Sequence, residues 1–485
     1  MSATGDRRTV DPVVVGGCVV ALALLALLVA SVGADPAAGV TASASPWTDE
    51  GWNVVNARNL VLLGHWSTDE WNLYLLNLPY SLLQAAWFAI AGVGIVQARL
   101  VDVGTTVLAV LAMGVGLRRP LGWGAPVAAL ALGASALVLY YGRLAYLEPP
   151  VMLLLVLALL ALSRPRPGLA LGAAAGVALA LAIATKASAG FAGAGLLVGV
   201  AWAGRADRDV RRALPGALAG LVAVALAWSV LVALPHAAQI PADLRIWASE
   251  PLPRSLGELL RRVTSYATRS DGAIPLAAPL LLAGGLAAPV LLALRAELTD
   301  EQRRLAAACA GWFVLGMGVL LAVPYRPNRY VVPLLPPLAI LAGLAVAAAA
   351  RHLGLRRGPA AVGAVVLAVA LAGPGLVLDA RWLGDATSTL PGVQARVAAL
   401  IPPGSAVQGD LAPVLAMRAR AATIVSRPAT DINAGDLYAS AGVRWVLTTG
   451  DAPAWAALHA TAWAARTEVM CVAWGPGRTC LYRLP

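Results

Sequence analysis

Two carboxylates stand side by side in Pro46-Trp47-Thr48-Asp49-Glu50-Gly51-Trp52-Asn53. Adjacent positions do not share a helix face. One of the pair can therefore meet a reacting hydroxyl as a general base, while the other pairs with a cation such as Arg58, or with a metal. The plain alternative is a solvated helix start, where acids complement the helix dipole. A third carboxylate, Glu148, lies in Tyr140-Tyr141-Gly142-Arg143-Leu144-Ala145-Tyr146-Leu147-Glu148-Pro149. It is either the ion-pair partner of Arg143 or a carboxylate pinned beside the first two. Basic counterparts follow. Lys186 is the only lysine in the chain, among 36 basic residues: either a compact point charge where one is wanted, or a side chain that snorkels to an interface. Arg326 and Arg329, with Tyr330, occupy Pro324-Tyr325-Arg326-Pro327-Asn328-Arg329-Tyr330. That proline-stiffened turn is a clamp for phosphate or carboxylate, or else an interfacial basic pair with a belt tyrosine.

What must position these residues is a bilayer. The chain has 485 residues, 59% hydrophobic and 13% charged, with mean hydropathy +0.75. Average soluble domains are about 45–50% apolar and about 25% charged. Cytosolic enzymes, nucleic-acid binders and disordered scaffolds are thereby excluded, and the net charge of +11 reads first as membrane orientation. A spanning helix needs about 20 apolar residues. Eleven segments fit, near 12–34, 93–117, 121–141, 149–163, 168–186, 187–204, 214–234, 273–294, 305–324, 330–350 and 359–378. The break between the fifth and sixth rests on Lys186. Sixteen arginines, among them Arg7, Arg8, Arg118, Arg119, Arg164 and Arg211, fall on one side if these spans alternate. That side is cytoplasmic, with the amino terminus inside. The fold expected is an all-α polytopic membrane domain over 1–378, with outer loops at 35–92 and 235–272. An extracytoplasmic α/β domain follows over 379–485, its strands near 405–410, 422–427, 443–449, 468–474 and 480–484 and its helices at 411–420 and 453–462.

Other residues read as structure. Arg99 and Asp102, three apart in the second span, suit a mutual ion pair, and Asp69-Glu70 a solvated loop. Arg254, Arg261, Arg262 and Arg269 suit solvated loop charge or a contact surface. Trp47, Trp52, Trp66 and Trp71 anchor the first loop or offer ring faces for stacking. Gly172 and Gly176 are a close-packing pattern. Cys471 and Cys480 flank Gly475-Pro476-Gly477, so a hairpin brings them face to face, either bridged in an oxidising compartment or as two reduced core thiols. The four histidines are scattered, and no zinc spacing, nucleophile elbow or dinucleotide fingerprint is present.

Four landmarks, in order, resemble the GT-C superfamily of polytopic glycosyltransferases, in particular bacterial protein O-mannosyltransferases and the lipid A aminoarabinose transferase. They are Asp49-Glu50-Gly51-Trp52 with Ala57-Arg58-Asn59, then Gln97-Ala98-Arg99-Leu100, then Gly142-Arg143-Leu144-Ala145-Tyr146-Leu147-Glu148. The last is Thr185-Lys186 together with Arg329-Tyr330-Val331-Val332-Pro333. The resemblance covers roughly residues 10–350. It implies inverting transfer of a sugar from a polyprenyl-phosphate donor to a protein, glycan or lipid hydroxyl on the outer face of the plasma membrane. By the family pattern Asp49 is the general base, with Glu50 beside it. Glu148, where relatives usually carry Asp, holds acceptor or donor sugar. Lys186, Arg326, Arg329 and Tyr330 grip the donor phosphate, so no metal or other cofactor is required. Two other readings are a transporter or flippase for a lipid-linked anion, and a non-catalytic subunit of a cell-envelope assembly complex.

Overall fold

The computed structural model describes residues 11–37, 40, 45–69, 73–241, 253–268, 273–323, 327–355, 357–425, 442–449, 460–474 and 477–485. Each of the eleven apolar segments is helical. Among the described residues eight helices are long and apolar enough to cross a membrane: Pro12–Ala30, Ile95–Gly116, Gly168–Thr185, Arg208–Ala233, Ile274–Ala293, Asp300–Ala322, Asn328–His352 and Ala361–Gly384. The remaining three expected spans are shorter. Residues 121–141 are broken into Gly124–Gly133 and Ala136–Tyr141, while Glu148–Leu162 and Ala189–Ala203 each run 15 residues. The protein is a polytopic membrane protein with a small C-terminal α/β region.

Small residues let the spans approach. Without a hydrophobic drive between helices in lipid, packing depends on close backbone contact. A Cβ added at Gly172 or Gly176 would lie 2.0 Å from the carbonyl oxygen of Ala213 or Ala217 on the neighbouring helix. The close-packing reading of that pair therefore holds. Cys309 is buried in its span and Cys18 is partly buried.

After the first span the chain does not run free over the surface. It forms a helix, Ser45–Leu63, that carries Asp49 and Glu50, and then the helix Leu78–Ala91. The last span extends to Gly384 and leads through Leu390–Leu400 to a five-stranded sheet of order β2-β1-β3-β5-β4. The strands are β1 (Ala406–Gln408), β2 (Ala422–Ile424), β3 (Trp445–Thr449), β4 (Thr467–Trp474) and β5 (Gly477–Arg483). β1 is parallel to β2 and β3, and β5 is antiparallel to β3 and β4. Within the β4–β5 hairpin Cys471 faces Cys480, and the two form a disulfide. Of the two helices expected here, the first shortens to Ala412–Leu415 and the second is described at Ala460–Ala464, with 451–459 outside the described residues.

Candidate active site

Asp49 and Glu50 point in different directions, as their one-residue offset requires, and only one has a neutral structural task. Glu50 is fully buried and receives both ends of the Arg99 guanidinium, Nε and Nη2 at 2.7 Å each. Arg99 also donates from Nη1 to the carbonyls of Val32 and Ala34, at 2.9 and 2.8 Å. The Ala145 N–H donates to Glu50 at 2.9 Å, and the Asn53 amide donates back to the Ala145 carbonyl at 3.1 Å. These bonds stitch the first-loop helix to the end of the first span, to the second span and to the turn carrying Glu148. They also correct the sequence reading twice. Glu50 pairs with Arg99 rather than Arg58, and Arg99 leaves Asp102 to accept instead from the Tyr80 hydroxyl at 2.9 Å. The separation of three favoured the local pair. Asp102 is buried as completely as Glu50, so burial does not choose between them; the fold sets both Glu50 oxygens against Nε and Nη2 of Arg99 in a bidentate pair, the geometry that carboxylate and guanidinium favour.

Asp49 turns the other way. Its Oδ2 lies 2.7 Å from Arg329 Nη2, and its Oδ1 accepts from the Thr48 hydroxyl at 3.0 Å. Arg329 in turn places Nε 3.4 Å from Glu148 Oε1, and Lys186 Nζ lies 2.5 Å from that same oxygen. Glu148 therefore faces Lys186 and Arg329, while Arg143 pairs with Asp379 at 3.3 Å. Lys186 stands at the C-cap of Gly168–Thr185, where the backbone turns extended before the next helix begins at Ala189. The helix break and the lysine are one feature. Its ammonium sits 3.5 Å from the Tyr330 ring centroid, and the Arg329 guanidinium lies 5.0 Å from Tyr146 and 5.4 Å from Tyr330. Such contacts suit cations removed from water. Pro327 precedes, and Pro333 lies within, the 3₁₀ turn Asn328–Leu334 that presents Arg329 and Tyr330, and Asn328 ties it to the first loop through the Val40 carbonyl at 2.6 Å.

Five candidates, Asp49, Glu148, Lys186, Arg329 and Tyr330, thus meet in one place, with Glu50 directly behind them. Arg326 lies outside the described residues. Tyr146, which carried no assigned role, joins them. Burial, and then the Asp49 charge, hold its phenol well above the usual range, so it stays neutral. Its position two residues before Glu148 was the signal available in the sequence.

The tail is part of the same construction. Arg58 donates to the carbonyls of Met417 at 2.9 Å, Ala421 at 2.8 Å, Ala416 at 3.3 Å and Ala419, all from one turn of the tail. The Trp52 indole donates to the Asp410 carbonyl at 2.8 Å, and Trp47 meets Trp474 edge to face at 5.1 Å. Trp66 stacks on Tyr74 at 5.1 Å. Trp47 and Trp52 fasten the loop to the tail, a task that neither anchorage at the membrane nor stacking on a ligand anticipates; Trp71 lies outside the described residues. Asp69, read as solvated, accepts from the Val425 N–H at 2.8 Å, and Glu70 lies outside the described residues. In the second outer loop Arg262 donates to the Ala322 carbonyl at 2.7 Å, so it is not simply solvated. Asp35, unremarked in the sequence, accepts from the N–H groups of Thr389 and Leu390 at 2.8 and 3.1 Å and caps the helix that enters the tail. Among the described residues the one group with metal-ligand proximity is Glu468, Cys471 and Cys480, and both its sulfurs are spent in the disulfide.

The fold of the chain recurs among solved structures. It superposes on ArnT from Cupriavidus metallidurans, solved bound to undecaprenyl phosphate, with TM-score 0.62 and 16% identity over 98% of each chain. It also superposes on the Archaeoglobus fulgidus oligosaccharyltransferase tethered with an acceptor peptide, with TM-score 0.57 and 13% identity over 89% of this chain and 69% of that one. The chain has the GT-C glycosyltransferase fold. A third GT-C structure, the mycobacterial arabinofuranosyltransferase AftD, matches with TM-score 0.52 and 18% identity over 96% of this chain and 40% of that one. No family model and no curated sequence matches the chain. At these identities the GT-C likeness is one of fold, and what the site does is argued from its own residues.

Proposed function

We propose that the protein is a membrane glycosyltransferase that moves a sugar from a polyprenyl-phosphate donor to an acceptor hydroxyl, with inversion. The observation that carries the proposal is the pairing of Arg329 with Asp49 and its approach to Glu148, with Lys186 on the same Glu148 oxygen. A base and two anion-binding cations are thereby held a few ångströms apart. The acceptor oxygen bonds to the anomeric carbon, and its proton passes to Asp49. The bond from that carbon to the phosphate oxygen breaks, its electron pair leaving on the polyprenyl phosphate. Lys186 and Arg329 meet the charge that develops there, which pre-placed cations do best in a site shielded from water. The bond from Thr48 to Asp49 Oδ1 is local, and an acceptor hydroxyl can replace it. Glu50 is assigned to holding the helix that bears Asp49, not to touching substrate. Side-chain cations suffice for one phosphate, so the proposal uses no metal.

Binding of undecaprenyl phosphate by ArnT and of dolichol phosphate by the A. fulgidus enzyme AglB supports a lipid-phosphate donor. The proposal places site and tail on the outer face of the plasma membrane. The one-sided arginines and the Cys471–Cys480 disulfide support that side. A transporter would want its charges near the bilayer midplane, whereas Lys186 and Arg329 lie at helix ends and turns. The test is transfer by the purified protein from a panel of polyprenyl-phosphate sugars. Asp49→Asn should lower the rate by about 10²–10⁴, the usual contribution of a positioned base, while leaving the protein folded. Full activity in that variant removes Asp49 from the role.

A further inference from the structure

One oxygen, Glu148 Oε1, lies between the two cations assigned above to the donor phosphate. It lies 2.5 Å from Lys186 Nζ and 3.4 Å from Arg329 Nε, and its carboxylate is 1% exposed, so bulk salt screens it little. The charges of Asp49, Glu148, Lys186 and Arg329 cancel. We infer that Glu148 is an internal stand-in for the lipid phosphate: it yields the cations to an arriving donor and reclaims them to expel the product.

This rests on the donor reading above and adds an asymmetry to it. The donor is a phosphodiester with one negative charge. The product is a monoester, which near neutral pH carries about −1.5 to −2. A carboxylate displaced from its cations but still beside them repels the second more than the first. It therefore weakens product binding more than donor binding and favours turnover. Lys186 and Arg329 alone would hold the product most tightly of all, and the site would be blocked by what it makes. A Glu148 that only oriented the sugar would carry no such bias between monoester and diester.

The experiment measures equilibrium binding of undecaprenyl phosphate, and of its methyl diester, to the purified full-length protein and two variants. Glu148→Gln keeps the shape and removes the charge. It should tighten monoester binding about tenfold and diester binding by clearly less. Glu148→Asp keeps the charge but draws the oxygen back from Lys186, and should fall between wild type and Gln. Its retained charge guards the test against a Gln variant that does not fold. If wild type binds the monoester and both variants bind it equally or more weakly, the stand-in role is overturned while the donor reading survives. Equal tightening for monoester and diester also overturns it. If no form binds either lipid, both readings fall.

Discussion

Arg99 grips Glu50 through two parallel 2.7 Å bonds, with both side chains completely buried. The pair fixes the rotation of the Ser45–Leu63 helix, and with Glu50 turned inward Asp49 is turned toward Arg329. Removing one partner of a buried pair typically costs about 3–5 kcal/mol because the other is left uncompensated. Glu50→Gln should therefore lower the thermal midpoint of the detergent-purified protein and abolish transfer together. Glu50→Leu with Arg99→Met should recover much of the stability but not the activity. A Glu50→Gln variant of native stability and normal turnover would show that the pair positions nothing.

Lys186 is predicted to act on the donor. Lys186→Met removes a charge that lies 2.5 Å from Glu148 and over the Tyr330 ring. A hydrogen bond to a charged group contributes about 1.5–3 kcal/mol, so donor affinity should fall at least tenfold. Lys186→Arg keeps the charge, but a planar fork does not fit a point contact. It should restore affinity only in part. Titration with a polyprenyl-phosphate donor, read as KM against kcat, separates this from a general loss of fold.

These sites show what the sequence could disclose. The spans were legible because a bilayer demands length and apolarity, and the carboxylate, lysine and arginine candidates because charge in such a chain needs a reason. Pairings were not. Arg99 has Asp102 three residues away and Glu50 far away in sequence, and only the folded backbone shows which need wins. Arg58 was equally opaque. Its partners are main-chain carbonyls of a turn some 360 residues on, and carbonyls leave no pattern in a sequence. The tail accordingly read as a separate module, although its turn at 416–421 sits directly on the helix of the catalytic candidates.

That placement predicts a coupling. Gly51 lies against the tail, where an added Cβ would stand 2.4 Å from the Val414 nitrogen. Backbone cannot yield as a flexible side chain does, so Gly51→Ala should displace the tail from the loop helix. Arg58→Ala should do so more strongly, since it leaves several carbonyls without their donor. Both variants should show faster proteolysis of the tail and lower transfer, with the spans intact. If transfer is normal in Arg58→Ala while the tail is loosened, the tail is dispensable to the chemistry.

The Cys471–Cys480 bridge closes a hairpin of separation 9 in the sheet. Short loops gain least from a cross-link: the chain-entropy relation gives about 3 kcal/mol for a 15-residue loop, and less for a shorter one. Cys471→Ser with Cys480→Ser should therefore lower tail stability by about 2.5 kcal/mol without unfolding the helical domain, because β5 keeps its pairing to β3 through Val446, Leu447 and Thr448. The charges of the candidate site lie on other elements, so transfer should stay near wild type at moderate temperature and fail earlier on heating. Measuring activity after brief incubations at rising temperature, with and without reductant, checks both halves. Reductant should shift the wild-type curve onto that of the double variant and leave the double variant unmoved. A reductant effect of equal size on both proteins would place the sensitivity outside this disulfide.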